Sequence, residues 1–428
     1  MPNRVRIPAA LTLMVISILA WSMGQTASAS IGLQGTATFG PIVTGTAAAT
    51  SAATLAVTPT PLPNLNHDLM GIQAYGYVGE GDWGTLMDRS FFMGFKWVKI
   101  QLSWKELEPV KGQYSQQFDV ITTNFFDTGR FRGYGYKIML SIAKAPDWAR
   151  PANARGQNDG PPTNPQDLID FLNHVFDRFD TTRLNAIEIW NEANTSTEWT
   201  GAPITGAEYM KLFNPVYKAI RAKLPNVTVV SAGPAPAGPV NDRQWLQQVY
   251  DAGLPLSDLN LAVGVHPYGW ANPPDARCCA SPSKGWDNNP GFFFLDTIND
   301  YHQIMLKNKD TQHKLWATEF GWSSFKGLHV GSHVDGLPVM PPTDSNLGWM
   351  NVLDDHQQAN YIIQAFQLAQ TGDLAGYMGP MFVWNLNYST LKGYVFPDKP
   401  SAPEAGFSLL DSDSAPRPIY DLLQQVKR

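Results

Sequence analysis

The sequence predicts a (β/α)8 TIM barrel, a closed ring of parallel strands surrounded by helices. Eight short apolar runs with strand character recur after residue 66, and helical stretches lie between them. A doubly wound open sheet is the alternative, but the early segment GYVGEGDWG lacks the glycine spacing of a phosphate-binding turn. The eight runs are residues 70–78, 97–104, 137–143, 186–192, 227–233, 261–268, 314–320 and 377–385.

The segments between these runs repeat their apolar residues with a period of 3.6, which is typical of helices that bury one face. Such helices can cover the outer surface of a barrel. The clearest of them are residues 165–179, 206–224 and 354–370, and the chain closes with a helix-like segment at 417–428.

Two connections are unusually long, residues 269–295 after the sixth run and 321–353 after the seventh. Both follow strands, so we expect them at the carboxyl ends of the strands, where barrel enzymes keep their active sites. Loops of this length at that face are typical of lids or cleft walls. No repeat or second domain is visible, and residues 67–428 are predicted to form a single domain.

The N-terminal region has the pattern of an export signal followed by a linker. Residues 1–29 contain two arginines, an apolar stretch at 9–21 and a final Ala-Ser-Ala cleavage site. The apolar stretch is short for a membrane span of about 20 residues, and an uncleaved anchor is the alternative. Residues 30–66 carry no charged side chain and are predicted to be a flexible linker. We therefore expect a secreted or extracytoplasmic protein, released or held at the cell surface.

The composition narrows the choice of partner. A net charge of −6, without a basic cluster beyond the N-terminus, argues against nucleic acid or an anionic membrane as the main partner. The chain contains 14 Trp, whose flat rings suit the apolar faces of sugars, although packing in a large core is their ordinary use. We expect an oligo- or polysaccharide substrate, a monomer, and no stable membrane association beyond the N-terminal segment.

The two cysteines, Cys278 and Cys279, are adjacent, so the fold cannot depend on a disulfide framework. In an oxidising compartment the pair has two alternatives, a vicinal disulfide or two free thiols in a loop. No His lies at ligand spacing from the pair, and no metal site is predicted there.

Two glutamates carry the strongest chemical signal. Glu192 in AIEIWNEANTS and Glu319 in KLWATEFGWSS each lie where a strand-like run meets a polar, aromatic loop. Two carboxyls brought from separate strands to one rim are the minimum for cleaving a glycosidic bond. One protonates the departing oxygen, and the other meets the positive charge at the anomeric carbon.

Period-two alternation makes a prediction about these strands. It places Glu188 and Trp190 on the same face of the fourth run as Glu192, and it groups Leu315 and Ala317 with Glu319 on the seventh. If both faces point inward, the two terminal carboxyls should meet across the barrel mouth at about 5 Å.

These motifs resemble those of the clan A glycoside hydrolases, which include the family 5 cellulases and the family 39 β-xylosidases. The resemblance rests first on Trp190-Asn191-Glu192 and on residues 318–322, Thr-Glu-Phe-Gly-Trp, and it covers residues 67–428. Further matches are residues 97–114, the His-Pro-Tyr-Gly at 266–269, Trp384, and residues 406–423.

The resemblance implies a role for each matching residue and implies no cofactor. Glu192 is expected to be the general acid/base, and Glu319 the nucleophile that forms a covalent glycosyl-enzyme with net retention. Asn191 is expected to bind the sugar 2-hydroxyl. Tyr268 is expected to donate a hydrogen bond to Glu319, and His266 and Trp384 to shape the subsite of the reacting sugar.

The chain departs from the resemblance at Lys99. Many clan members carry an arginine on the second strand that supports the nucleophile, and lysine keeps the charge but loses the bidentate fork. Two interpretations remain open: Lys99 replaces the arginine, or it points elsewhere and pairs with Glu188.

Aromatic residues recur just beyond several strand ends, and Trp104 and Trp270 are the strongest candidates for stacking against sugar. The sequence therefore predicts a secreted, retaining glycoside hydrolase that cleaves β-glycosidic bonds of oligo- or polysaccharides, similar to cellulases. Two alternatives share these features: a non-catalytic carbohydrate-binding protein of the cell surface on the same barrel, and a transglycosylase.

Overall fold

A computed structural model describes residues 62–127, 133–236, 238–279 and 282–426. The predicted export signal and residues 30–61 of the predicted linker lie outside the described residues. Leu62 packs against the main core and Leu65 is buried in it, so packing begins before the predicted domain boundary at residue 67.

Eight parallel strands close into a barrel, which confirms the predicted (β/α)8 fold. The first strand pairs with the second and with the last, and each of the others pairs with its neighbours in chain order. The barrel strands are β1 Met70–Gln73, β2 Trp97–Ser103, β3 Lys137–Ala143, β4 Leu184–Ile189, β5 Thr228–Ser231, β6 Leu261–Val265, β7 Lys314–Phe320 and β10 Met378–Val383. A small antiparallel hairpin, β8 His329–Val330 and β9 Leu337–Pro338, lies in the connection after β7.

Helices cover the outside of the barrel, and several predicted boundaries hold to within a few residues. The helices are α1 Glu80–Phe92, α2 Trp104–Leu107, α3 Gln116–Thr122, α4 Pro165–Arg178, α5 Gly206–Lys223, α6 Asp242–Asp251, α7 Phe294–Lys307, α8 Asp355–Gln370 and α9 Pro418–Gln425.

Local sequence explains where the clearest helices begin. Asn164 caps α4 by accepting a hydrogen bond from the Gln166 amide, and proline takes the first helical position, where its missing N–H costs nothing. Asp354 and Gln357 form a reciprocal capping box at the start of α8.

Large side chains fill the lower barrel interior. Phe382 is fully buried, and its ring lies close to those of Trp97 and Trp316. Room for these rings comes from two glycines: a Cβ on Gly71 would collide with Phe382, and a Cβ on Gly379 would collide with Trp316. The interior cluster comprises Trp97, Met139, Ala186, Val230, Ala262, Trp316 and Phe382.

Alternation along β7 differs from the prediction. Trp316 points into the barrel, whereas Leu315 and Ala317 pack in the core between sheet and helices. The expectation that Glu319 shares an inward face with Leu315 and Ala317 is therefore wrong. A register shift in the pairing of β7 with β10, between Ala317 and Phe320, adds one residue to β7 and changes the alternation just before the mouth.

The fourth strand differs from the prediction in a similar way. Glu188 is buried on the inward side, but the strand ends at Ile189 and Trp190 takes a positive φ of 74°. Trp190 then packs in the sheet–helix core with Trp199, with ring centroids 5.6 Å apart. The predicted common face of Glu188, Trp190 and Glu192 is therefore wrong for Trp190, because the backbone turns before period two can continue.

Among the described helices, none has the length and apolar character required to cross a bilayer.

Replacing Phe382 by Ala is expected to destabilise the fold by about 3–5 kcal/mol, because it leaves a cavity between two Trp rings that cannot close. The free energy of unfolding in urea measures the effect. Phe92→Ala is the matched control, since Phe92 is 54% exposed. Equal losses in the two variants would contradict a tightly filled barrel interior.

Candidate active site

The predicted pair of glutamates meets at the carboxyl end of the barrel. Glu192 follows β4, and Glu319 is the penultimate residue of β7. Each is only 5% exposed. One carboxyl oxygen of each, together with a ring nitrogen of His266, lies within 4.8 Å of the other two. The structure therefore brings the two carboxyls face to face.

Backbone hydrogen bonds to neighbouring strand ends fix the position of Glu192. The Trp190 amide donates to Ile142 O, and the Glu192 amide donates to Gly233 O. Glu192 has a positive φ of 39°, a conformation that non-glycine residues adopt at a cost and that is enriched at functional sites. Asn194 secures the next turn, since its side chain exchanges hydrogen bonds with the Ala235 backbone.

Glu319 lies between two hydrogen-bond donors. Tyr268 Oη donates to Glu319 Oε2 over 3.0 Å, which is the contact that the resemblance implies, and Lys99 Nζ donates to Glu319 Oε1 over 3.3 Å. Burial, and then the Glu319 charge, raise the pKa of Tyr268 well above its usual value, so Tyr268 keeps its proton. Both donors stabilise negative charge on the Glu319 carboxyl.

His266 connects the two strands. Its Nδ1 lies 3.2 Å from Glu192 Oε1, and its Nε2 lies 3.1 Å from Thr318 Oγ1. Burial lowers the pKa of His266, but the nearby Glu319 and Glu192 carboxyls outweigh burial and raise it. The ring fits only because residue 233 is glycine. A Cβ at this position would collide with His266.

Lys99 makes both of the contacts that the sequence left as alternatives. Its ammonium lies 3.0 Å from Glu188 Oε2 and 3.3 Å from Glu319 Oε1, and it also donates to Thr318 O over 3.1 Å. Burial lowers the pKa of Lys99, but the two carboxylates outweigh it and the net pKa is raised. Burial raises the pKa of Glu188, but Lys99, His266 and Thr318 together outweigh burial and lower it.

Asn191 directly precedes Glu192, and Trp384 packs against Tyr268. Asn191 is 5% exposed, and its Oδ1 is buried without a hydrogen-bond partner among the described residues. Trp384 follows β10, where its ring packs edge-on against Tyr268 and Phe407. Their roles toward substrate stay predictions.

Trp104 does not have the environment expected of a sugar platform. It is fully buried, its ring packs against Trp148 and stacks on Phe171, and its indole nitrogen donates to Glu108. Both faces are covered by protein, so the structure contradicts stacking of Trp104 on substrate.

Trp270 is also enclosed, being 3% exposed and packed against Phe292 and Trp349. These rings belong to the loops after β6 and β7 and form part of a second hydrophobic cluster above the barrel. The structure contradicts an open stacking face on Trp270, because the long loops use this ring for their own core.

Sequence reasoning missed a charged group beside the glutamates. Lys144 directly follows β3. Asp159 forms ion pairs with Lys144 at 3.3 Å and with Lys105 at 2.5 Å. Glu198 is buried nearby. Burial raises the pKa of Glu198 from 4.5 to about 8, with Lys144 opposing and Asp159 and Glu192 adding to the rise. The position of Lys144 at a strand's carboxyl end is the signal that could have found it.

Glu192, His266 and Glu319 have enough ligand atoms for a metal ion. The Lys99 ammonium already contacts Glu319, however, and its positive charge opposes a cation at this position.

The structure also joins Cys278 and Cys279 by a disulfide, and the Cys278 amide donates to Asp296.

Comparison with known proteins gives a family and a fold. The family model described as cellulase (glycosyl hydrolase family 5) matches residues 57–365. A search of curated proteins finds no match.

Solved structures with similar folds include three glycoside hydrolases of low identity. A family 39 glycoside hydrolase from the gut symbiont Bacteroides cellulosilyticus WH2 is 21% identical with a TM-score of 0.58. That comparison covers 85% of this chain and 65% of the other, so this chain spans less than two thirds of its length. The GH53 catalytic domain of Ignisphaera aggregans is 14% identical, with a TM-score of 0.54 and coverages of 86% and 99%. A glucosidase from Croceicoccus marinus is 14% identical, with a TM-score of 0.55 and coverages of 85% and 68%.

Replacing Lys99 by Met is expected to destabilise the protein by about 3–5 kcal/mol, because Glu188 is then left charged and buried without a cation. Adding Glu188→Gln to the same chain should recover part of the loss, which the free energy of unfolding in urea measures. The surface control is Lys137→Met, whose 3.7 Å ion pair with Asp68 is exposed and should contribute less than about 1 kcal/mol. A double variant less stable than Lys99→Met would refute this pairing.

Replacing Glu198 by Gln is expected to flatten the pH dependence of stability. Between pH 4.5 and about 8 the folded protein keeps the Glu198 proton while the unfolded chain loses it, so stability falls as pH rises through this window. Gln removes this ionisation, and the slope should become less negative by up to about 1.4 kcal/mol per pH unit. Urea unfolding at several pH values gives the slope, and an unchanged slope would contradict a protonated Glu198.

Proposed function

The chain belongs to the cellulase family, glycosyl hydrolase family 5, and we propose that it is a retaining β-glycosidase that uses Glu192 and Glu319. Membership makes it a glycoside hydrolase. The substrate class we propose is a β-linked oligo- or polysaccharide, and the mechanism is double displacement without a cofactor.

One observation carries this proposal: the short gap between the two carboxyls. Oxygens of Glu192 and Glu319 lie within 4.8 Å of each other. Retaining glycosidases hold their two carboxyl groups about 5–5.5 Å apart, whereas inverting enzymes separate them by about 6.5–9.5 Å to admit a water molecule. The observed gap favours direct attack by one carboxylate on the sugar.

The surroundings of the two glutamates favour different roles. Glu319 accepts from Tyr268 and Lys99, two donors that stabilise an anion before attack on the anomeric carbon. Glu192 contacts His266 instead and has no lysine within ion-pair distance among the described residues. We therefore assign Glu319 as nucleophile and Glu192 as general acid.

The two steps follow from these assignments. In the first, Glu319 Oε2 or Oε1 bonds to the anomeric carbon while Glu192 gives its proton to the departing oxygen. In the second, Glu192 takes a proton from water, which attacks the same carbon and releases Glu319. Lys99 loses one anionic partner when the ester forms but keeps Glu188, so its charge stays compensated throughout the cycle.

Two neighbours are assigned to the sugar itself. The unpartnered Asn191 Oδ1 can accept a hydrogen bond from the sugar 2-hydroxyl, a contact that strengthens in the transition state. Trp384 lies against Tyr268 and Phe407 and forms an apolar wall for the reacting sugar. Export from the cytoplasm and a monomeric state are part of the proposal, and they rest on the N-terminal pattern and the composition alone.

Glu192→Gln and Glu319→Gln, each made alone, are expected to lower hydrolysis of aryl β-glycosides by at least about 100-fold, the scale of a lost acid or base. Both substitutions keep the side-chain shape, so circular dichroism should remain that of the parent. Near-normal turnover in either variant would overturn the assignment.

Azide distinguishes the two roles. With Glu319→Gly, azide should occupy the vacated space and give an α-glycosyl azide by one inversion. With Glu192→Gly and an activated aryl glycoside, it should intercept the glycosyl-enzyme and give a β-glycosyl azide. NMR of the products identifies the anomer, and the opposite pairing would exchange the two roles.

Product analysis with added acceptor sugars separates hydrolysis from transglycosylation.

A further inference from the structure

A second cluster of ionisable side chains lies in the loops above the barrel. His329 belongs to β8 and His333 follows it in the same hairpin, whereas Asp411 comes from the closing segment after β10. These three residues, here called the His–His–Asp cluster, therefore join two parts of the chain that are distant in sequence. The proposed glycosidase mechanism uses none of them.

The ligand atoms of the His–His–Asp cluster converge on a small volume. One atom from each side chain lies within 4.8 Å of the other two. The Nδ1 atoms of His329 and His333 lie 2.9 Å and 2.8 Å from the same oxygen, Asp411 Oδ2. The two imidazole rings are nearly perpendicular, with centroids 5.5 Å apart. Both rings thus aim a nitrogen at one carboxylate oxygen without stacking on each other.

Two backbone amides fix the position of the Asp411 carboxylate. Its Oδ1 accepts from the backbone amides of His329, over 2.7 Å, and Ser412, over 2.9 Å. Outer hydrogen bonds of this kind are what orient a carboxylate ligand in a metal site.

The histidines are held by their own backbone contacts. The His333 amide donates to Asp413 Oδ2 over 2.8 Å, and the Gly331 amide donates to Ser412 Oγ over 3.1 Å. His329 pairs with Pro338 across the hairpin. The cluster is therefore fixed in both chain segments before any ligand arrives, which lowers the entropy cost of binding.

The three side chains of the cluster differ in their exposure to solvent. The Asp411 side chain is fully buried, that of His329 is 26% exposed and that of His333 is 42% exposed. An ion can therefore enter from solvent on the His333 side and retain water there as a further ligand.

We propose that His329, His333 and Asp411 bind one divalent transition-metal ion, of which Zn²⁺ is the representative. Two imidazole nitrogens and one carboxylate oxygen form a three-ligand set that suits Zn²⁺ and related ions, with one position left for water. Ca²⁺ and Mg²⁺ fit less well because they prefer oxygen ligands throughout.

Binding requires only a small adjustment of the cluster. In a tetrahedral site with bonds of about 2.1 Å, ligand atoms lie about 3.4 Å apart. The two rings must therefore move back from Asp411 by roughly half an ångström. Each histidine binds as a neutral imidazole with its one proton on Nε2, so a neutral ring that donates from Nδ1 first moves that proton to Nε2 through solvent and then binds the ion through Nδ1.

The proposed ion connects the loop after β7 to the closing segment. Leu328 and Val339, which flank the hairpin, are buried in the hydrophobic cluster that contains Tyr268 and Trp384. The Val339 amide donates to Leu328 O, which closes the base of the hairpin. A metal bound to this hairpin would therefore stiffen the loop after β7 without touching the reacting atoms.

Titration of the EDTA-treated, full-length protein with ZnCl₂ in a calorimeter tests the proposal. One Zn²⁺ should bind per chain, and His329→Gln/His333→Gln should weaken binding by at least about 100-fold, since even loss of an outer partner costs 10–100-fold. Co²⁺ should give the visible absorption of a four-coordinate site in the parent only.

At a Zn²⁺ concentration about 100 times the Kd, the folded-to-unfolded ratio should rise roughly 100-fold and Tm by several degrees.

The matched control is His356→Gln, an exposed histidine at the start of α8, which should bind Zn²⁺ as the parent does. Equal Zn²⁺ affinity in the parent and the double variant would overturn the proposal and place the ion elsewhere, including the Glu192 and Glu319 site. Absence of Zn²⁺ binding by the parent would also overturn it and leave the cluster as a hydrogen-bonded clamp. Circular dichroism of the double variant confirms that a loss of binding is not a loss of fold.

Discussion

The buried ammonium of Lys99 is the interaction on which the arrangement of the site depends. It lies between Glu188 and Glu319, and it also donates to the backbone of Thr318. A buried charge is tolerated only when it is paired and hydrogen-bonded, so one cation makes it feasible to bury two carboxylates at the mouth. Two negative groups against one positive group leave a net negative charge, and His266 beside them can compensate for part of it. Charge balance therefore links β2, β4, β6 and β7 at one point.

The second constraint is local irregularity of the backbone at strand ends. A regular strand alternates its side chains, and strict alternation would direct Glu319 toward the helices with Leu315 and Ala317. The extra residue in β7 and the positive φ values at Trp190 and Glu192 interrupt that alternation where the functional side chains begin. The regular lower barrel, filled by rings such as Phe382, supplies the rigid base that holds this strain.

A third feature is that the long loops have a hydrophobic core of their own. Trp270, Trp349 and Phe407 pack together with Trp384 and Tyr268 into one cluster above the barrel. One of these residues, Tyr268, also donates a hydrogen bond to Glu319, so packing in the loops and positioning of that carboxyl share a side chain. Trp270, Trp349 and Trp384 are therefore enclosed by protein instead of lying open to solvent.

The sequence by itself determined the eight-strand barrel, because periodicity and apolar burial act over a few residues and are visible in the chain. It also singled out Glu192 and Glu319, because each lies at the end of a strand-like run, and the structure brings these two carboxyls close together; their catalytic roles stay a proposal. It could not decide that Lys99 contacts Glu188 and Glu319 together, or that Trp104 and Trp270 are enclosed, because those outcomes depend on side chains far apart in the sequence. The sequence also could not show that His329 lies next to Asp411. Only the folded chain brings the hairpin and the closing segment together, because charge pairing and ring packing depend on the positions of side chains in three dimensions.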